Sequence, residues 1–303
     1  MKKLLWLLFS VTIGLAIWQK DLISQYIIQE LLFNDYDTKV TRNEYAKNNN
    51  FGLIKETKSF NPESKDEFNN ILYTILNSGQ DNFSFYCMFG YEECANDFNE
   101  YIQNSDYVEA INNYVHPYNS FENISITRNN FNKIEIHVDK LYTDKEIDYI
   151  NNFLDNFINN NINQSMSDTD KIKIFHDYII KNTKYDNNYD LYTDKDTYPT
   201  HPYNAYGLLT EGKAICSGYS DVMAIYLNKI GIPNYKIASD EHVWNYAYVN
   251  NNWYHLDLTW DDPVTTNNTD ILIYDFFLIN TNELLKQDTK QHNYNKNLYL
   301  EAQ

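Results

Sequence analysis

The stretch from Gly212 to Trp260 constrains this chain more than any other. Val222, Met223, Tyr226, Leu227 and Ile230 recur at helical spacing, and Gly231 followed by Pro233 predicts a stop. A strand is expected over Tyr235–Ala238. Two alternating aromatic segments follow, His242-Val243-Trp244-Asn245-Tyr246-Ala247-Tyr248-Val249 and Trp253-Tyr254-His255-Leu256-Asp257-Leu258-Thr259-Trp260. They flank the turn Asn250-Asn251-Asn252. Period-two alternation around a short Asn turn is a strong hairpin signal. Cys216 is thereby placed at the start of a buried helix, His242 at the opening of the first hairpin strand and Asp257 on the second.

Those three residue types in that order have a chemistry. A thiolate is the nucleophilic form of cysteine, and a free thiol has a pKa of about 8.5. The first turn of a helix offers unpaired N–H groups and the positive end of the helix dipole, which favour a thiolate and can face a developing oxyanion. A carboxylate on the neighbouring strand can hold one imidazole nitrogen, which leaves the other to face the thiol. Gly212 and Gly218 are expected to keep the approach to Cys216 open. The bland alternative for Cys216 is a small buried residue at a helix start.

The wider pattern has a family resemblance. Cys216-Ser217-Gly218-Tyr219, then His242-Val243-Trp244-Asn245, then Trp253-Tyr254-His255-Leu256-Asp257-Leu258-Thr259-Trp260-Asp261-Asp262-Pro263, resemble the bacterial transglutaminase-like (transglutaminase/protease) superfamily. His176-Asp177-Tyr178-Ile179-Ile180 and Tyr185-Asp186 resemble the helix that precedes that core. The resemblance runs from about Tyr142 to Asn293. It implies a papain-like α+β fold in which the Cys216 helix packs on an antiparallel sheet. It also implies acyl transfer through a thioester, with Cys216 as nucleophile, His242 as proton shuttle and Asp257 as its orienting group. Cross-linking, deamidation, peptide hydrolysis and inactive relatives all occur on this fold, so the step after acylation stays open.

Other residues carry weaker expectations. Tyr219, Trp244 and Asn245 are candidates for substrate contact because they follow Cys216 and His242 closely. His176 and His255 read as structural, and His201 as a residue at the rim of the cleft at most. Asp261-Asp262 before Pro263 reads as a turn. No cofactor is expected, and nothing has zinc-ligand spacing.

Outside this block the chain divides into four stretches. Residues 1–20 combine Lys2 and Lys3 with an apolar run from Leu4 to Trp18, the pattern of a signal anchor or signal peptide. The run is short for a full span of about 20 residues. With no clean cleavage site after Ala16, an uncleaved anchor is favoured. Residues 21–61 read as a helix over 21–33 and a polar linker. Residues 62–140 read as a smaller α+β region, with a helix over 66–76 ending near Gly79 and a hairpin between Ile124 and Val138. Residues 141–303 read as the catalytic domain, with helices over 144–160 and 169–182 and a short turn of helix over 205–210. Cys87 and Cys94 lie seven residues apart; in an exported protein they suggest a local disulfide, the alternative being two small buried hydrophobes.

A net charge of −18, from 42 acidic and 24 basic residues, argues against nucleic acid and anionic lipid as partners of the globular part. The expected partner is a protein or peptide substrate, cell-wall or surface associated, met outside the cytoplasm by a membrane-anchored or secreted enzyme. The alternative is a non-catalytic binding or scaffold module that keeps the fold.

Overall fold

Helices and strands are interspersed along the chain from residue 66 onward. The computed structural model describes residues 40–87, 91–128, 133–188, 201–264 and 271–302. The expected signal anchor and the helix over 21–33 lie outside the described residues. Among the described residues no helix is long and apolar enough to cross a membrane.

The first part holds α1 (Asp66–Ser78), β1 (Asn82–Tyr86), α2 (Cys94–Gln103), α3 (Ser105–Tyr114), β2 (Phe121–Arg128) and β3 (Lys133–Lys140). The strands form an antiparallel sheet in the order β1-β3-β2. Helix α1 ends where expected, because Gly79 takes a left-handed conformation at φ 76°. Cys87 and Cys94 are joined in a disulfide, with Cα atoms 5.5 Å apart.

The second part runs α4 (Asp144–Asn161), α5 (Asp168–Asn182), β4 (Lys184–Tyr185), α6 (Ala205–Glu211), β5 (Lys213–Ala214), α7 (Cys216–Lys229), β6 (Asn234–Ala238), β7 (Val243–Val249), β8 (Asn252–Leu256) and α8 (Thr281–Gln287). Thr143 and Glu146 cap α4 reciprocally, and Ser167 caps α5. The β7–β8 turn is tight because Asn250 and Asn251 both accept positive φ, 52° and 66°. That is the requirement of a two-residue hairpin loop, and asparagine meets it at low cost.

Strands β6-β7-β8 form an antiparallel sheet covered on both faces. Trp244 and Tyr246 point into one core; Ala247 and Val249 point into the other, with Val222, Met223 and Tyr226 of α7. The alternation of the hairpin is therefore real, but neither face is wet, which is why β7 is almost wholly buried.

The first core crosses the boundary expected at residue 140. Phe68, Leu72, Phe98 and Ile136 pack in the same cluster as Tyr235, Trp244, Tyr294 and Tyr299. Asn113 donates to the Tyr299 hydroxyl, and Tyr114 donates to the Leu298 carbonyl. Residues 40–61 are likewise no free linker. Phe51 and Ile54 are core residues, and the Lys47 ammonium donates to the Asn234 carbonyl at 2.8 Å. Polar composition hid this strap, because its buried anchors are few and irregularly spaced.

Candidate active site

Cys216 stands at the first residue of α7 because the loop before it is pinned by its own backbone. Ile215 N–H donates to the Pro202 carbonyl at 2.9 Å, and Gly218 and Tyr219 N–H both turn back to the Ile215 carbonyl. Gly218 is required here for close approach. A Cβ at that position would meet the Pro202 oxygen at 2.4 Å, and no backbone can tolerate that contact. Gly212 acts differently, closing α6 in a left-handed conformation at φ 65°. The open access expected from these two glycines is thus backbone geometry at both.

His242 immediately precedes β7 and Asp257 immediately follows β8, so the hairpin register brings them side by side. His242 Nε2 lies 2.6 Å from Asp257 Oδ2. Cys216 and His242 line the same cleft. With Nε2 held by the carboxylate, Nδ1 is the nitrogen left for the thiol. Cys216 is half-buried and is the free cysteine among the described residues. Of the three residues singled out from the sequence, His242 and Asp257 are paired directly, and Cys216 lines the cleft beside His242.

The electrostatics follow from burial and charge together. Burial pulls the His242 imidazolium down, but the Asp257 charge and hydrogen bond, helped by Cys216, outweigh it and raise the ring to about 10. Burial pushes Asp257 up, yet His242 and a second imidazole, His292, hold its carboxyl far below the usual carboxylate range. Asp257 is a saturated acceptor. Oδ1 takes the backbone N–H groups of Thr259 and Trp260 at 2.9 and 3.3 Å, and Oδ2 lies 2.6 Å from His242 and 2.9 Å from His292.

Two clefts meet at His242. One is lined by Cys216, His242, Asp240 and Glu241 together with Asp106 and Glu109 from α3. The other is lined by His242, Tyr185, Trp260, Asp262, Pro263 and Val264. Helix α3 of the first part thus builds a wall of the site, a role no motif in its sequence announced.

Tyr219, Trp244 and Asn245 do not line either cleft, which corrects the expectation of substrate contact. Each is about 1% exposed and has its polar atom committed. The Tyr219 hydroxyl donates to Asp262 at 2.6 Å. Trp244 lies parallel beneath the His242 ring, centroids 5.6 Å apart, and its indole N–H donates to His255 Nδ1 at 3.0 Å. Asn245 donates to the Ser220 carbonyl and ties β7 to α7. They hold the site from behind. His176 and His255 are structural: His176 bridges Asp177 and Asp261, and burial first, then His292, lowers His255 to about 3. His201 is exposed beside Glu211.

Residues 156–258 match the sequence model described as the transglutaminase-like superfamily. No curated protein matches the chain. Among solved structures, the chain is similar to the crystal structure of a TGase, at 18% identity and a TM-score of 0.34, over 50% of this chain and 46% of that one. It is also similar to a protein provisionally named a cysteine protease from Cytophaga hutchinsonii, at 13% identity and a TM-score of 0.28, over 50% of this chain and 65% of that one. The chain spans less than two thirds of the length of either. The family match takes in Cys216, His242 and Asp257, so the part of the chain that holds them, residues 156–258, is similar to the transglutaminase-like superfamily.

Proposed function

We propose that the protein is a cysteine-dependent acyl-transfer enzyme acting on protein or peptide substrates, with Cys216 as nucleophile, His242 as acid–base and Asp257 as the group that orients it. The observation that supports this reading is that Cys216 and His242 line one cleft, with Asp257 hydrogen-bonded to the His242 ring. The Cys216 thiolate attacks a carboxamide or peptide carbonyl carbon, and the C=O electron pair moves onto oxygen. Collapse of that intermediate expels ammonia or an amine, which takes its proton from His242, and leaves a thioester. An amine or water then attacks the thioester, gives its proton to His242 and releases the thiolate. General acid–base transfer of this kind typically contributes about 10²–10⁴-fold. The Cys87–Cys94 disulfide and the apolar N-terminal run support an extracytoplasmic, membrane-anchored or secreted setting, and a cell-wall or surface substrate suits it.

A glutamine-containing peptide offered with and without a labelled primary amine tests the reading. Amine incorporation that disappears in Cys216→Ala is the expected transferase result. Cleavage or deamidation without incorporation moves the assignment to hydrolysis of the thioester. No turnover with any carbonyl substrate, together with unaltered Cys216 reactivity in His242→Ala, returns the protein to the binding-module alternative.

A further inference from the structure

His292 has no part in the triad, yet it is fully buried and touches Asp257 on the same oxygen as His242. Its other ring nitrogen, Nδ1, lies 2.9 Å from Asp288 Oδ2. That oxygen also accepts the backbone N–H groups of Gln291 and His292, which bends the chain so that the ring enters the core. Aromatic groups grip the ring on several sides: Phe276 stacks on it at 5.2 Å, and Trp244 and Trp260 meet it edge-on at 4.8 and 5.0 Å. The ionisable groups facing His292 are Asp257, Asp288 and His242, with His255 beyond Trp244. His242, Asp257 and His292 bring ligand atoms within 4.8 Å of one another. Each nitrogen–oxygen spacing is that of a hydrogen bond.

We propose that His292, anchored by Asp288, is a positioning residue for the reaction centre: it fixes Asp257 at the oxygen that also holds His242 and so sets the orientation in which His242 meets the thiol. The proposal rests on the acyl-transfer reading above. Its chemistry is that of any imidazole held by an outer partner, where the partner determines ring orientation. The order of contacts is His242, Asp257, His292, Asp288, with Cys216 lining the cleft beside His242, and a loss at the far end loosens the near one.

The test reads the rate of iodoacetamide alkylation of Cys216 at about pH 6.5 relative to about pH 10, by peptide mass mapping. His292→Phe keeps an aromatic ring and removes both polar contacts. It is expected to lower that ratio by about tenfold, in the range typical of outer partners. His292→Gln, whose amide N–H can still reach Asp257, is expected to keep most of it. Asp288→Ala, at the half-buried end of the chain of contacts, is expected to lower the ratio in the same direction, and it serves where His292→Phe does not fold. A falling melting temperature with an unchanged ratio in His292→Phe and Asp288→Ala means that His292 is only packing, and the proposal is overturned while the acyl-transfer reading stands. A wild-type ratio equal to that of a free cysteine peptide, unaltered in His242→Ala, overturns both.

Discussion

At the scale of the residue, His242 is the clearest case of opposed forces. Burial favours a neutral ring, and the Asp257 carboxylate favours a charged one; the carboxylate wins and raises the ring to about 10. A group raised above its unfolded value of about 6.5 contributes stability that is fully present below that pH and lost as pH rises through the folded value. The stability advantage of wild type over His242→Phe should therefore be flat below about pH 6.5 and shrink between there and about pH 10. Thermal unfolding of both proteins across that range measures it, and a pH-independent difference would contradict the coupling. Asp257 has the opposite sign. Its depressed carboxyl contributes stability above the ordinary carboxylate range, and that contribution goes only in strong acid. The His242–Asp257 pair was legible because residue type and hairpin register pointed to one contact. His292 was not: it sits in a polar tail with no period, and its one signal is an Asp four residues earlier. Trp244 was misread because proximity in sequence to His242 does not say which side of the ring is wet.

At the scale of the element, the question is what holds α7 against the sheet. Asp221, on α7, accepts from the Lys236 ammonium of β6 and from the Tyr142 hydroxyl ahead of α4, each at 2.6 Å. Tyr142 in turn accepts from the Ala205 N–H at the start of α6 at 2.8 Å. One carboxylate thus joins three helices and a strand, with Asp221 1% and Lys236 7% exposed. Removing one partner of a buried pair leaves a charge stranded, and the cost is about 3–5 kcal/mol. Asp221→Leu alone is expected to destabilise the fold by that order in urea unfolding. Asp221→Leu with Lys236→Met should recover much of it, since paired apolar replacements are often near neutral. Equal and additive losses from the two substitutions would show that the pair is not coupled. The sequence foretold α4, α5, α6 and α7 closely because their apolar residues keep helical spacing. It foretold little of residues 82–114. Helix α2 buries only Cys94, Ala95 and Phe98, and α3 mixes Asn113 among its buried positions, so neither shows a clean stripe.

At the scale of the whole molecule, charge and architecture meet in the cleft beside Cys216. The chain carries −18, and part of that excess stands where α3 approaches the sheet. Asp106, Glu109, Asp240 and Glu241 line the cleft, and no lysine or arginine is among its lining residues. Inside the site the His242 cation and the Asp257 anion offset each other, so the field an incoming molecule meets there is negative. Clefts lined by one sign of charge focus that field and change encounter rates by about 10-fold or more at low ionic strength. Iodoacetate and iodoacetamide attack the same thiol with and without a negative charge, and their rate ratio isolates the field. At low salt iodoacetate should be disfavoured. The ratio of iodoacetate to iodoacetamide rates at Cys216 should rise several-fold as salt takes the Debye length from about 30 Å at 0.01 M to about 10 Å at 0.1 M. Asp106→Asn with Glu109→Gln should raise the low-salt ratio and flatten its salt dependence, because α3 supplies that half of the wall. A ratio that falls with salt would mean that the His242 cation dominates the approach and that the acidic wall lies too far from the sulfur to be felt. The two signs cannot both occur, so one salt titration of Cys216 alkylation decides whether the first part of the chain shapes what reaches the nucleophile.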